Sequence, residues 1–194
     1  MKMPFKDNRV YRNLESLEKT EDFIIEGYAT TFNRYEIYEF DGIKYYEEID
    51  RNAFDNADFS DVILQYDHSG KVLARTSNQT LELIIDDVGL KVRADLSKSK
   101  SSQELYEEVK NGLVTKMSWA FTVGEESYDK STRTRKFLKI KKVYDVSAVS
   151  IPANQDTSIN ARGFFDGVIE EERKEFAKLR KAKLRLKLKA KEND

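Results

Sequence analysis

Leu113-Val114-Thr115-Lys116-Met117-Ser118-Trp119-Ala120-Phe121-Thr122-Val123 is the stretch on which the fold turns. Leu113, Met117, Trp119, Phe121 and Val123 share one parity, while Lys116, Ser118, Ala120 and Thr122 share the other. That alternation is the period of a β-strand with one apolar face and one small, polar, open face. Immediately upstream lies the clearest helix. Ser101-Ser102-Gln103-Glu104 has the form of a capping box, Leu105 and Val109 sit one turn apart, and Gly112 is placed to stop the helix.

Working outward, residues 81–85 and 90–96 read as two strands joined by the turn Asp86-Asp87-Val88-Gly89. Val62-Ile63-Leu64-Gln65-Tyr66-Asp67-His68 reads as a buried strand that ends at Ser69-Gly70. Residues 51–57 suggest a single helical turn, and the aromatic stretch 35–46 a hairpin about Asp41-Gly42. Residues 23–29 form the first strand on this reading, preceded by a flexible segment, 1–20, with few large apolar side chains. Downstream, residues 136–142 and 143–151 suggest a further pair of strands, closed by Pro152.

Many short strands with one or two helices predict a mainly β (α+β) fold, a compact antiparallel barrel or sandwich over residues 21–163. Residues 164–194 differ in kind. Strong helix formers with acidic residues at 170–172 predict a charged helical extension. Within it, residues 181–191 alternate strictly between basic side chains and Ala or Leu.

Composition narrows the chemistry. A chain of 194 residues accommodates one domain with a core plus appended segments. Lys+Arg 34 against Asp+Glu 35 leaves no overall bias toward polyanions, and no basic, aromatic-lined groove signature points to specific nucleic-acid binding. The absence of cysteine excludes disulfides, thiolate nucleophiles and Cys-ligated zinc. No apolar run reaches the roughly 18 residues of a membrane span. Residues 1–20 lack a signal-peptide apolar region, so the expected location is the cytoplasm.

Three residues stand out as candidate chemistry. His68 is the sole histidine, in phase with Val62, Leu64 and Tyr66, so its ring is expected to point with core side chains. It is either a hydrogen-bonded structural imidazole or a general base. Ser118 is either an ordinary strand serine or a nucleophile held on a rigid backbone. Asp145 lies in Val143-Tyr144-Asp145-Val146-Ser147-Ala148-Val149-Ser150-Ile151, where a carboxylate is unusual. It is either paired with a lysine at a strand edge or the orienting member of a triad.

Gly27-Tyr28-Ala29, Tyr66-Asp67-His68, the hairpin at 81–90, Met117-Ser118-Trp119-Ala120-Phe121, and Asp145-Val146-Ser147-Ala148-Val149-Ser150-Ile151-Pro152-Ala153-Asn154 with Thr157 follow one another in a recognisable order. Over residues 22–162 the chain resembles the HK97-type phage prohead proteases, a family distantly similar in fold to the herpesvirus assembly proteases. The resemblance implies a serine endopeptidase with a herpesvirus-protease-like barrel, Ser118 as nucleophile, His68 as base and Asp145, more often Glu in the family, as third member. A lone histidine rules out the Ser-His-His arrangement of the herpesvirus enzymes, with Asp67 the weaker rival for the third role.

The oxyanion hole is expected from backbone N–H groups, with an arginine of the 133–135 loop as a further candidate. The resemblance further implies that the enzyme acts inside the assembling prohead in the bacterial cytoplasm. Its implied partners are the major capsid protein with its scaffolding segment, the portal, and a second copy of the chain. No cofactor or metal is implied. The competing readings are a non-catalytic capsid-assembly module of the same fold and a nucleic-acid binder acting through the basic tail.

Overall fold

From Lys116 onward the alternation at residues 113–123 becomes one arm of a long antiparallel hairpin, described in a computed structural model that covers residues 9–150 and 159–192. Leu113, expected on its apolar face, lies before the strand and is exposed. In chain order the strands are β1 (Arg9–Glu21), β2 (Ile24–Thr31), β3 (Tyr35–Phe40), β4 (Ile43–Ile49), β5 (Ile63–Tyr66), β6 (Ser69–Arg75), β7 (Leu81–Ile85), β8 (Gly89–Asp95), β9 (Lys116–Asp129) and β10 (Thr134–Val149). Two α-helices, α1 (Lys100–Lys110) and α2 (Ile159–Glu192), complete the set with a 3-10 turn at Thr76–Asn78.

The β9–β10 ladder runs from Thr134↔Asp129 to Val149↔Lys116. Residues 136–151 were expected to form two strands; up to Val149 they belong to one. Register shifts at Phe137/Lys139, Lys139/Ile140, Ile140/Lys142 and Val143/Asp145 re-phase its side chains, so buried Phe137, Ile140, Val143 and Val146 recur every third residue. A period of two is therefore broken in the sequence although the strand continues.

On its other edge β10 pairs in parallel, first with β4 (Thr134↔Tyr46 to Phe137↔Ile49) and then with β5 (Asp145↔Ile63 to Ala148↔Tyr66). Between them Asp58 bridges to Lys142. Residues 51–56 are successive turns rather than a helical turn, closed by bonds such as Ala53 N–H to the Asp50 carbonyl (2.9 Å). The strand order is β3-β4-β10-β9-β1-β2-β8-β7, with β5–β6 attached to β10. The fold is mainly β with few helices, as expected, but the expected compact antiparallel barrel is corrected to a mixed sheet, and among the described residues its end strands β3 and β7 do not pair with each other.

Residues 9–20, expected to be loose, form β1. Its first part pairs with β9 (Arg9↔Thr122 to Asn13↔Ser118), and its second pairs with β2 (Leu17↔Gly27 to Glu21↔Ile24). The strand thereby carries the sheet around a corner. In a flat sheet β1 and β4 would lie about 14 Å apart, three strand spacings. Yet Arg12 of β1 makes a paired hydrogen bond to the Glu47 carboxylate of β4, Nη2 to Oε1 at 2.7 Å. The sheet must curl to bring them together. Arg135 (3.3 Å) and the Tyr35 hydroxyl (3.1 Å) also donate to Glu47, completing a buried polar knot. Burial pulls the Arg12 guanidinium toward neutrality, but Glu47 outweighs it and leaves its pKa raised.

Trp119 and Phe121 anchor the core, stacked at 3.9 Å, with Phe54 and Phe137 against their rings. Helix α1 adds Leu105, Tyr106 and Val109. Its N-cap is Ser99, whose hydroxyl accepts from Ser102 N–H, rather than the expected capping box at 101–104. Gly112 does end the helix region in a left-handed conformation (φ 71°). The β7–β8 and β3–β4 hairpins follow the sequence reading, with Asp41 and Gly42 both left-handed in the latter turn. Helix α2 is a separate unit, longer than the segment expected from residue 164. No described helix is long and apolar enough to cross a membrane.

Candidate active site

His68 is presented by a turn rather than by a strand. β5 ends at Tyr66, Asp67 and His68 are both left-handed (φ 46° and 54°), and Ser69 opens β6. Two consecutive left-handed residues match the twist of a tight two-residue hairpin. Ser69-Gly70, read in the sequence as a terminator, is therefore the start of the return strand.

For residues other than glycine this conformation costs about 1–2 kcal/mol each. Contacts to β10 offset it. Asp67 N–H donates to the Ala148 carbonyl (3.0 Å) and His68 N–H to Ser147 Oγ (3.2 Å). The Asp67 carboxylate accepts from Ser150 N–H (3.0 Å) and Ser150 Oγ (2.8 Å). Asp67, the weaker rival for the third role, thus serves as a clamp between the turn and the end of β10.

The ladder registers Ser118 of β9 opposite Ser147 of β10, and Ala120 opposite Asp145. Asp145 and Ser147, two residues apart, share a strand face. His68 Nδ1 lies 2.5 Å from Asp145 Oδ1, and Nε2 lies 2.5 Å from Ser118 Oγ. A carboxylate only accepts, so the proton sits on Nδ1, and Nε2 is left to accept from the Ser118 hydroxyl. The three residues proposed from sequence are brought together in one hydrogen-bonded line.

The open polar face expected around Ser118 is not observed. β9 lies between β1 and β10, and both of its faces are covered near the site. Ser118 is 1% exposed and Asp145 6%. The His68 side chain, 19% exposed, is the part of the trio nearest solvent. The arginine expected near the oxyanion is also elsewhere. Residues 133–135 lie at the far end of the β9–β10 hairpin, on the order of 30 Å along the strand from Ser118. Arg135 is held by Glu47 and by Glu126 (2.6 Å).

Ser147 is the site residue that sequence reasoning missed. Its hydroxyl donates to Asp145 Oδ1 at 3.0 Å, receives His68 N–H, and lies 3.3 Å from His68 Nδ1. The signal was its placement two residues after a strand carboxylate. Among the described residues no group of three His, Asp or Glu side chains is arranged to hold a metal ion. Ile151-Pro152-Ala153-Asn154 and Thr157, part of the sequence resemblance, lie outside the described residues.

Comparison with known proteins bears on the family of the chain. The model of the caudovirus prohead serine protease family matches residues 11–170. The prohead protease of Enterobacteria phage HK97 is 29% identical over 154 residues, covering 75% of this chain and 62% of that protein. That of Escherichia phage T5 is 26% identical over 106 residues, covering 55% of this chain and 47% of that protein. The chain therefore spans about half to three fifths of the length of these relatives. No solved structure matches it. With the family model extending over most of its length, the chain belongs to the caudovirus prohead serine protease family.

Proposed function

We propose that the chain is a serine endopeptidase of capsid maturation in which Ser118 is the nucleophile, His68 the general base and Asp145 the carboxylate that orients the imidazole. The unbroken line Asp145–His68–Ser118, with both links at 2.5 Å, carries this reading. His68 Nε2 takes the Ser118 proton as Oγ attacks the scissile carbonyl, then returns it to the leaving amine. Asp145 stabilises the imidazolium formed in between. Water, activated by the same nitrogen, releases the acyl group from Ser118.

The exposed edge of His68 is the side from which a peptide approaches, and backbone N–H groups near Ser118 supply the oxyanion donors. The two curated relatives are named prohead proteases. The substrates proposed here are the scaffolding segment of the major capsid protein and the chain itself, cut inside the assembling prohead.

Co-expression with the capsid protein, followed by mass spectrometry of the new termini, tests this reading. Scaffold cleavage is expected with the wild-type chain and is expected to vanish in Ser118→Ala while the fold persists. Cleavage that persists in Ser118→Ala would overturn it. An intact capsid protein beside a folded wild-type chain in assembled particles would favour a non-catalytic assembly module.

A further inference from the structure

Ser147 does more in this site than fill space. It is completely buried, and it faces Ser118 across the β9–β10 ladder. Its hydroxyl has one proton to give and lone pairs to receive. The proton goes to Asp145 Oδ1 (3.0 Å), the same oxygen that receives His68 Nδ1–H (2.5 Å). A lone pair receives the backbone N–H of His68 (3.2 Å). One side chain therefore touches two members of the line, and it meets His68 both at its backbone N–H and, at 3.3 Å, at ring Nδ1.

Each contact answers a specific physical need. His68 sits in a left-handed conformation that a β-carbon disfavours, so its backbone needs an external hold. Asp145 is almost wholly removed from water, and a desolvated carboxylate needs donors to fix which oxygen faces the imidazole. If the carboxylate rotated, Nδ1–H would lose its acceptor, the ring would be free to turn, and Nε2 would leave Ser118. Ser147 blocks that rotation and fixes the height of the turn in one stroke.

On the reading that Ser118, His68 and Asp145 form the catalytic line, we infer that Ser147 is a positioning residue, holding Asp145 and the His68 turn in register with the nucleophile. It touches neither the reacting carbonyl nor the transferred proton. Its effect passes through His68. Loss of its hydroxyl lowers the reactivity of Ser118 without altering substrate binding.

The test is the rate of Ser118 labelling by a serine-directed fluorophosphonate, with kcat and KM for a capsid-derived peptide, in the full chain. Ser147→Ala is expected to slow labelling and lower kcat on the order of 10–100-fold, the scale of lost hydrogen bonds to a charged group. KM should be nearly unchanged. Ser147→Thr, which keeps the hydroxyl, should restore most of the rate. Should Ser147→Ala not fold, Ser147→Cys carries the same expectation, since a thiol of similar size is a poor donor.

A folded Ser147→Ala or Ser147→Cys chain with wild-type labelling rate and kcat would overturn the inference. So would a Ser147→Thr chain as slow as Ser147→Ala although equally stable. Labelling that survives in Ser118→Ala overturns the catalytic reading itself, which separates that failure from failure of the role given to Ser147.

Discussion

At the scale of single residues, the site depends on two contacts made by one imidazole. His68 has Asp145 on one nitrogen and Ser118 on the other. Asp145→Asn can donate to Nδ1 and so favours the wrong tautomer. Turnover is expected to fall about 10^4-fold with the fold intact, measured as kcat on a capsid-derived peptide. Asp67→Ala is the contrasting case. It removes the carboxylate that accepts from Ser150 but leaves the ring's partners in place. A loss on the order of tenfold is expected, and a loss as deep as that of Asp145→Asn would exchange the two roles.

These roles were partly legible in the sequence. A polar residue inside an apolar strand marked Asp145, and the lone histidine marked His68. Ser147 was marked only by its place two residues after that carboxylate, and its contacts were hidden because its partners are assembled from β10 and the β5–β6 turn, far apart in the chain. The burial of Ser118 was equally hidden, since alternation shows which residues share a face but not what later covers it.

Elements supply the rigidity that the site needs. Gly89 opens β8 where it passes β2, and a β-carbon there would lie 2.1 Å from the Thr30 carbonyl oxygen and 2.6 Å from Thr31 Cα. Both are backbone atoms of a neighbouring strand. Gly89→Ala is therefore expected to cost about 2 kcal/mol or more, read as a lower urea midpoint. The parallel passage beside β10 is pinned by Asp58, which Lys142 and Ser60 hold below the usual carboxylate range.

Such a depressed carboxyl stabilises the fold above its unfolded pKa, about 4, and that contribution is lost as the pH falls toward the lower folded value. Asp58→Asn should be less stable than wild type at pH 7, with the gap closing in acid. A gap that stays constant with pH would contradict the ion pair. The β7–β8 hairpin could be read directly from its turn residues. The parallel pairs of β10 could not, because they join segments some 80 residues apart with no local turn to announce them.

For the whole molecule, the sheet works as a curled support that brings β9, β10 and one tight turn to a common point. Its curl is secured by the Arg12–Glu47–Arg135 knot, which links β1, β4 and β10. Removing the charge of Glu47 takes from buried Arg12 the carboxylate it pairs with and leaves Arg135 to Glu126. Glu47→Gln is expected to destabilise the fold by about 3–5 kcal/mol in urea unfolding. The fold class followed from strand content, but closure and strand direction are properties of the assembled sheet. Residues 9–20, charged and polar enough to look loose, become ordered because Arg12 finds Glu47 and the strand completes two ladders.

The central claim is that Ser118 is a nucleophile activated by His68. Its most direct measurement is the mass of the peptide carrying Ser118 after a fluorophosphonate is added to a preparation that is cutting its capsid substrate. The expected result is one phosphonyl adduct on Ser118, cessation of cleavage in proportion to it, and no adduct in His68→Ala. Continued cleavage by fully labelled chain, or an adduct on another serine with Ser118 unmodified, would contradict the account.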